Sequence, residues 1–322
     1  MSGRLRCFVL ALALAAAPGA DAQTYPDRPL RLLVGFAAGG GADIVARHFA
    51  AKMGELLGQQ VVVDNRPGAG ATIAAEIAAR APADGYTLFQ CGIASFAIAP
   101  ALYRKLRYDQ LRDFVPVTFI GAAPNVLVVH PSLPVNTLGE FIAYLKANPG
   151  KVHYGSSGVG STLHLSMELF KSMTHVDIVH VPYKGGALAL NDLLGGHVQA
   201  MCDNIQGQLA AIRGGRVRPL AVTWSRRVAQ LPDVPTFAES GLPGFEIGPW
   251  YGVCAPAGVP KAIVARLDDL AAQALASSDL RQRLADQGIE PRPMSPAEFG
   301  TFIRSESARW AKAVKDAAVP AQ

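Results

Sequence analysis

From Leu30 to Thr223 the chain repeats one pattern: a short apolar run, a turn rich in glycine, then a longer stretch whose apolar positions recur at helical spacing. This alternation admits few architectures, because strands that alternate with helices pair mainly in parallel and bury both sheet faces under the helices. The spacing predicts strands over Leu30–Phe36, Val61–Asp64 and Thr87–Cys91, with helices over Ile44–Leu57 and Ile73–Ala81 between them. A second series begins with a strand over Val126–Val129, a helix over Thr137–Asn148 and a strand over Val152–Tyr154. It continues with a helix over Leu163–Met173, a strand over Ile178–Val181 and a helix over Ala187–Gly195. Strands over Ala200–Cys202 and Leu220–Thr223 complete it. Two α/β units in series predict two lobes with a cleft between them.

After Trp250 come only one short strand, Gly252–Ala255, and two amphipathic helices, Ile263–Ala276 and Ala297–Ala317. That is too little for a lobe of its own, so this tail is expected to return to the first one. The chain then crosses between lobes twice, near Asn125 and near Gly248. The expected division is 23–125 with 249–322 in one lobe and 126–248 in the other. Two crossings make a hinge, and hinged closure is a common route to ligand capture.

The N-terminus has the three parts of a secretory signal: Arg4 and Arg6, an apolar run from Phe8 to Ala17, and Ala20-Asp21-Ala22 as a small-residue cleavage site. Residues 1–22 are therefore expected to be a signal peptide, and the mature protein to be released into the periplasm. The run is about ten residues long, roughly half of what a membrane-spanning helix needs. Cys7 precedes it, which does not support a lipid-bearing cysteine at the new terminus.

Formal net charge is +5, and one unit less after processing. The cations are scattered, without a run of five and without interleaved aromatics, which argues against a nucleic-acid groove. Cys91, Cys202 and Cys254 survive processing, an odd number that permits one disulfide at most. Burial as small apolar residues is the simpler expectation for all three.

The chemistry-bearing residues cluster in turns. Gly39, Gly40, Gly41, Ala42 and Asp43 follow the first strand and open a helix. In open parallel sheets ligands sit at the carboxyl ends of strands, where helix N-termini offer unpaired N–H groups to an anion. Asp43 is read as the cap of that helix, a role compatible with ligand binding. Nucleotide fingerprints do not fit, since Ile44 stands where Gly-x-Gly-x-x-Gly needs its last glycine and no Gly-Lys-Ser/Thr occurs.

Gly155, Ser156, Ser157, Gly158, Val159, Gly160 and Ser161 lead in the same way into the helix that carries His164, adding hydroxyls to the backbone donors. The nucleophile elbow Gly-x-Ser-x-Gly is not matched, because Val159 stands at its final position. A single histidine on a helix face is more simply structural than an acid or base. The loop from Arg66 to Thr72, with Ala69 and Gly70, repeats the device in the first lobe, where Arg66 is either a charge partner or a solvated residue.

Tyr183 and Lys184 begin another helix and either line the cleft or face water. Asp203, at the end of a strand, either orders the cleft loops or binds a cationic group of the ligand; buried, it needs partners in either case. No metal motif is present: there is no His-Glu-x-x-His or Cys-x-x-Cys, and His175 and His180 lack a neighbouring ligand set. What survives is cofactor-free binding of a small organic anion.

Several blocks, in order along the chain, make the reading more specific. They are Tyr25-Pro26 with Arg28-Pro29, Phe36 with Gly39-Gly40 and Asp43, Asn65 to Gly70, and Asp84 to Thr87. Ser157-Gly158 with Gly160-Ser161 and His164-Leu165, then His180 to Gly185, follow in the second lobe. Leu231 to Thr236, Glu239 to Gly241 and Ala255 to Gly258 complete the set.

The mature sequence resembles the Bug family, the substrate-binding proteins of tripartite tricarboxylate transporters, over essentially its whole length. The resemblance implies a type II periplasmic binding protein fold, two Rossmann-like lobes joined by a two-stranded hinge, acting as a monomer. It also implies a small carboxylate held by the loops around Gly39–Asp43 and Ser156–Ser161 with ordered waters, no cofactor, and one large and one small permease subunit as partners. The residues expected at the ligand are Phe36, Gly39, Gly40, Gly41, Asp43, Ala69, Gly70, Ala94, Ser95, Ser156, Ser157, Gly160, Ser161, His164, Tyr183 and Asp203.

The chain departs from the family pattern at Gly35 and Ala37, where proline is usual, at Ala42, where threonine is frequent, and at Cys202, where phenylalanine is common. The segment from Cys91 to Phe96 reads as an apolar loop where the family has a polar one, which points to a ligand with a hydrophobic or aromatic body. A sensor that presents a carboxylate to a membrane kinase shares all these features and is the alternative.

Overall fold

The computed structural model describes residues 25–316, so the expected signal peptide lies outside the described residues. Two sheets organise the chain. The first is built on β1 (Leu30–Val34), β2 (Val61–Asn65) and β3 (Thr87–Gly92), which run parallel with β1 in the middle. The apolar residues of β1 are buried on both faces, as a strand needs when helices cover both. Helix α1 (Gly41–Leu57) joins β1 to β2, and α2 (Thr72–Ala79) joins β2 to β3.

After β3 a π-helical turn over Ala94–Ile98 runs into α3 (Ala99–Leu102). The Cys91–Phe96 segment is thus helical from Ile93 onward rather than a loop. Its apolar side chains serve the core: Phe96 is fully buried against Phe89 and Phe114.

Strand β4 (Phe114–Ala122) was not expected from the sequence, because Pro116 and Gly121 break its apolar run. The register between it and β10 (Trp250–Pro256) slips beside Pro116, as a missing backbone donor requires. From β4 the chain passes directly into β5 (Asn125–Val129), the first strand of the second sheet.

There α4 (Leu138–Ala147), β6 (His153–Ser156), α5 (Thr162–Thr174), β7 (Val179–Pro182) and α6 (Gly186–Leu194) follow the expected alternation. Strand β8 (Ala200–Asn204) is followed by a helix the sequence did not announce, α7 (Ile205–Arg213), since Gly207 interrupts its first turn. Strand β9 (Arg218–Val222) completes this sheet. The chain then returns through β10 to α8 (Lys261–Ala276), the unexpected α9 (Ser278–Asp286), β11 (Glu290–Pro291) and α10 (Pro296–Asp316).

The first sheet has the order β11-β4-β10-β3-β1-β2 and the second β7-β6-β8-β5-β9. In each, the strand that arrives from the other lobe is inserted antiparallel between two others: β10 between β3 and β4, and β5 between β8 and β9. The sequence reading of mainly parallel strands is right for the rest. The buried apolar residues form two clusters, one on each side of the sheets, and each draws on both lobes.

The tail is clamped to the first lobe by aromatic contacts. Phe299 of α10 meets Phe119 and Trp250 edge-on, with ring centroids 5.5 and 5.8 Å apart. It lies over Gly252, where a Cβ would stand 2.2 Å from the ring.

Candidate functional site

Between the lobes lies a narrow cavity of about 40 Å³. The lobes meet around it. A Cβ on Gly185 would stand 2.6 Å from that of Ala37, and one on Gly160 would stand 2.8 Å from Leu102. Tyr103 donates its hydroxyl hydrogen to the carbonyl of Val159 at 3.3 Å. Phe36, Gln90, Ile93, Ala94, Leu163, Trp250 and Tyr251 supply most of the larger or apolar wall, and Ser95, Ser157 and Thr162 supply hydroxyls.

The floor is made of helix N-termini. Gly40 caps α1, Gly185 caps α6 and Asn204 caps α7, and none of the three gives a side-chain acceptor to the first-turn amides. Gly40, Gly41, Gly186 and Asn204 all line the cavity. Glycine is required for this approach: a Cβ on Gly41 would stand 2.9 Å from both Cβ and Nδ2 of Asn204. Three helix N-termini without side-chain caps border this one cavity, and their first-turn N–H groups and dipoles favour a bound anion there.

Of the residues expected at the ligand, Phe36, Gly40, Gly41, Ala94, Ser95, Ser157 and Asp203 line this cavity. The others, which do not, are placed as follows. Gly39 adopts φ 80° and donates its N–H to Asp43 at 2.9 Å. Asp43 is not the cap but lies in the first turn of α1, accepting also from Arg47 at 2.8 Å and Asn65 at 2.9 Å. Burial disfavours its charge, yet Arg47, the Gly39 amide and Asn65 together hold its carboxyl below the usual range. It braces the loop rather than facing the cavity.

Ala69 and Gly70 form a short 3₁₀ turn with positive φ, and Gly70 lies under the carbonyl of Val159 from the other lobe. Ser156 and Ser161 spend their hydroxyls on protein partners. Ser156 contacts His180 at 2.7 Å, and Ser161 donates to the Gly158 carbonyl at 2.7 Å while capping α5. Gly160 turns at φ 77° and donates to His164 Nδ1. Tyr183 donates to Asp192 at 2.5 Å. The second half of the floor is α6 and α7, and of the Ser156–Ser161 loop Ser157 alone lines the cavity.

His164 belongs to a packed system centred on His180 and is not a free acid or base. It stacks on His180 with centroids 4.4 Å apart, and His180 stacks in turn on Tyr154 at 4.8 Å. Burial, then the neighbouring His164, push the His180 pKa down to about 4, and burial lowers that of His164 as well. An unfolded imidazole takes up its proton near pH 6.5, whereas folded His180 resists until about 4. Acid therefore favours the unfolded chain, and stability is lost as pH falls through this window. The thermal midpoint is expected to drop between pH 7 and pH 5, and to drop less in a His180→Gln variant, by differential scanning calorimetry. An equal drop in both would show that His180 is not responsible.

Several wall residues were not foreseen: Gln90, Trp250 and Tyr251 reach the cavity through the pairing of β10 with β3, which sets Tyr251 opposite Gly92. All three cysteines are buried, and the Sγ atoms of Cys91 and Cys254 are 2.6 Å apart on these two strands. Among the described residues no group of three His, Cys, Asp or Glu is placed to hold a metal ion, and no helix is long and apolar enough to cross a membrane.

Residues 45–319 match the model of the tripartite tricarboxylate transporter family receptor. The periplasmic binding protein BugD is 37% identical, with a TM-score of 0.90 over 92% of this chain and all of that one. An R. palustris protein, Rpa4515, solved with adipate, is 42% identical, with a TM-score of 0.89 over 92% of this chain and 99% of that one. MatC from Rhodopseudomonas palustris, solved with bound malate, is 38% identical, with a TM-score of 0.86 over 90% of this chain and all of that one. The two-lobed architecture is that of the periplasmic binding proteins. The chain belongs to the tripartite tricarboxylate transporter receptor family, whose members are solute-binding proteins and not enzymes.

Proposed function

We propose that this protein captures a small carboxylate with an apolar body in the periplasm and delivers it, as a monomer, to the large and small permease subunits of a tripartite tricarboxylate transporter. The observation that carries this reading is that three helix N-termini without side-chain caps, those of α1, α6 and α7, border one cavity through Gly40, Gly41, Gly186 and Asn204. Backbone amides at these ends bind a carboxylate without a buried cation, so the ligand enters and leaves without breaking an ion pair. The adipate and malate bound by two relatives support the carboxylate class.

In this reading residues 23–125 with 249–322 form one lobe and 126–248 the other, and closure about the paired crossings brings Gly40 and Gly41 against α6 and α7. The walls at Phe36, Ile93, Leu163 and Trp250 then cover the carbon skeleton.

Trp250 provides a built-in reporter for the test. Titration with succinate, adipate, 3-phenylpropionate and their methyl esters is expected to change its fluorescence for at least one free acid, at a Kd of about a micromolar. The matching ester is expected to bind about 100-fold more weakly, since an ester carries no charge to the helix ends. Equal binding of acid and ester, or no binding of any acid, would overturn the reading.

A further inference from the structure

We propose that the solute carries, besides its carboxylate, a hydrogen-bond donor, an ammonium or hydroxyl group, that Asp203 accepts inside the cavity. This rests on the carboxylate reading of the same site and narrows it to amino or hydroxy acids.

Asp203 sits at the end of β8, 3% exposed, and lines the cavity. Its Oδ1 accepts from the Asn204 amide at 2.7 Å and its Oδ2 from Gln208 Nε2 at 2.6 Å. A carboxylate has room for about four donors, so these two leave half of its capacity open. The contrast with Asp43 is informative. Asp43 is equally buried but has the Arg47 guanidinium; Asp203 has no cation among the groups that act on it in the described residues.

The space beside the carboxylate is also kept clear. A Cβ on Gly186 would stand 3.2 Å from both of its oxygens, and one on Gly207 3.2 Å from Oδ2. Next to it, the buried Oδ1 of Asn204 has no donor at all. Both residues line the cavity, and among the described residues Asp203 accepts only these two hydrogen bonds and Asn204 Oδ1 none.

Burial raises the Asp203 pKa to about 6, against the Gln208 and Asn204 hydrogen bonds that lower it. The group is therefore mostly ionised at neutral pH and poorly compensated. A plain dicarboxylate brings such a site a second negative charge and no donor. An ammonium or hydroxyl brings the missing hydrogen, and the ammonium also balances the charge.

Calorimetric titration at pH 7.5 of three carbon skeletons, each as plain, hydroxy and amino acid, tests this. The sets are succinate, malate and aspartate; glutarate, 2-hydroxyglutarate and glutamate; and 3-phenylpropionate, 3-phenyllactate and phenylalanine. In the skeleton that binds best, a donor-bearing acid is expected to bind at least about ten-fold more tightly than the plain acid. The hydroxy and amino arms tell which donor is used.

Asp203→Asn is expected to bring that ratio to within about three-fold, chiefly by weakening the donor-bearing acid. Plain acids that bind as tightly as their donor-bearing partners overturn this inference while leaving the carboxylate reading in place. So does a preference that survives Asp203→Asn. Failure of every acid to bind overturns both. Should Asp203→Asn not fold, the wild-type ratios decide alone.

Discussion

Gly41→Val is expected to weaken acid binding about 100-fold while the free protein keeps its fold and its thermal midpoint within a few degrees. The first added carbon stands 2.9 Å from Cβ and Nδ2 of Asn204 and from Nε2 of Gln206, and all three atoms belong to the opposite lobe. The conflict therefore exists only when the lobes are closed. Overpacking costs roughly 1–3 kcal/mol, and the branched side chain puts valine at the upper end. Each 1.4 kcal/mol is about ten-fold in affinity, which gives the stated loss.

Calorimetric titration with the best-binding acid checks the affinity, and circular dichroism the fold. Gly139→Ala is the matched control, because only Thr137 Oγ1 lies within 4.0 Å of the added carbon. A Gly41→Val variant that binds within three-fold of wild type would falsify the role given to this close approach.

The second large effect is on stability. Phe299→Ala is expected to destabilise the protein by about 3–5 kcal/mol, the usual cost of removing a buried aromatic side chain. The site cannot collapse to fill the gap, since the residue beneath the ring is Gly252 and the neighbours Phe119 and Trp250 are themselves held in a tight aromatic cluster. Urea unfolding followed by tryptophan fluorescence measures it directly. A loss under about 1 kcal/mol would mean that α10 contributes little to holding the first lobe together.

These two sites differ in how far the sequence announced them. The glycine turn at Gly40-Gly41 was legible because its signal is local: a strand end, glycines and a helix start within a few residues. The same locality misled at Ser156 and Ser161. Hydroxyls in a glycine-rich loop find protein partners, here Gly158 within the loop and His180 on β7, and are used up before a ligand arrives.

Trp250 and Gln90 were not legible as wall residues, because they meet the cavity through strand register, which no single stretch encodes. The fold shows the same division. Strands that are unbroken apolar runs were found, whereas β4, interrupted by Pro116 and Gly121, and α7, with Gly207 in its first turn, were not. In both, long-range pairing and packing outweigh the local pattern.

The insertion of β10 between β3 and β4 bears on the order in which the chain becomes a protein. Strands β5 to β9 are contiguous in sequence, and the second sheet has all its members once residue 222 has been made. The first sheet does not. In a chain that emerges N-terminus first, β3 and β4 both have an unsatisfied edge until residues 250–256 arrive to fill the slot between them. Unpaired strand edges are the surfaces on which nascent chains stick to one another. The lobe that begins first in the sequence is thus the last to close, and it is the one that has to be shielded while the rest of the chain follows.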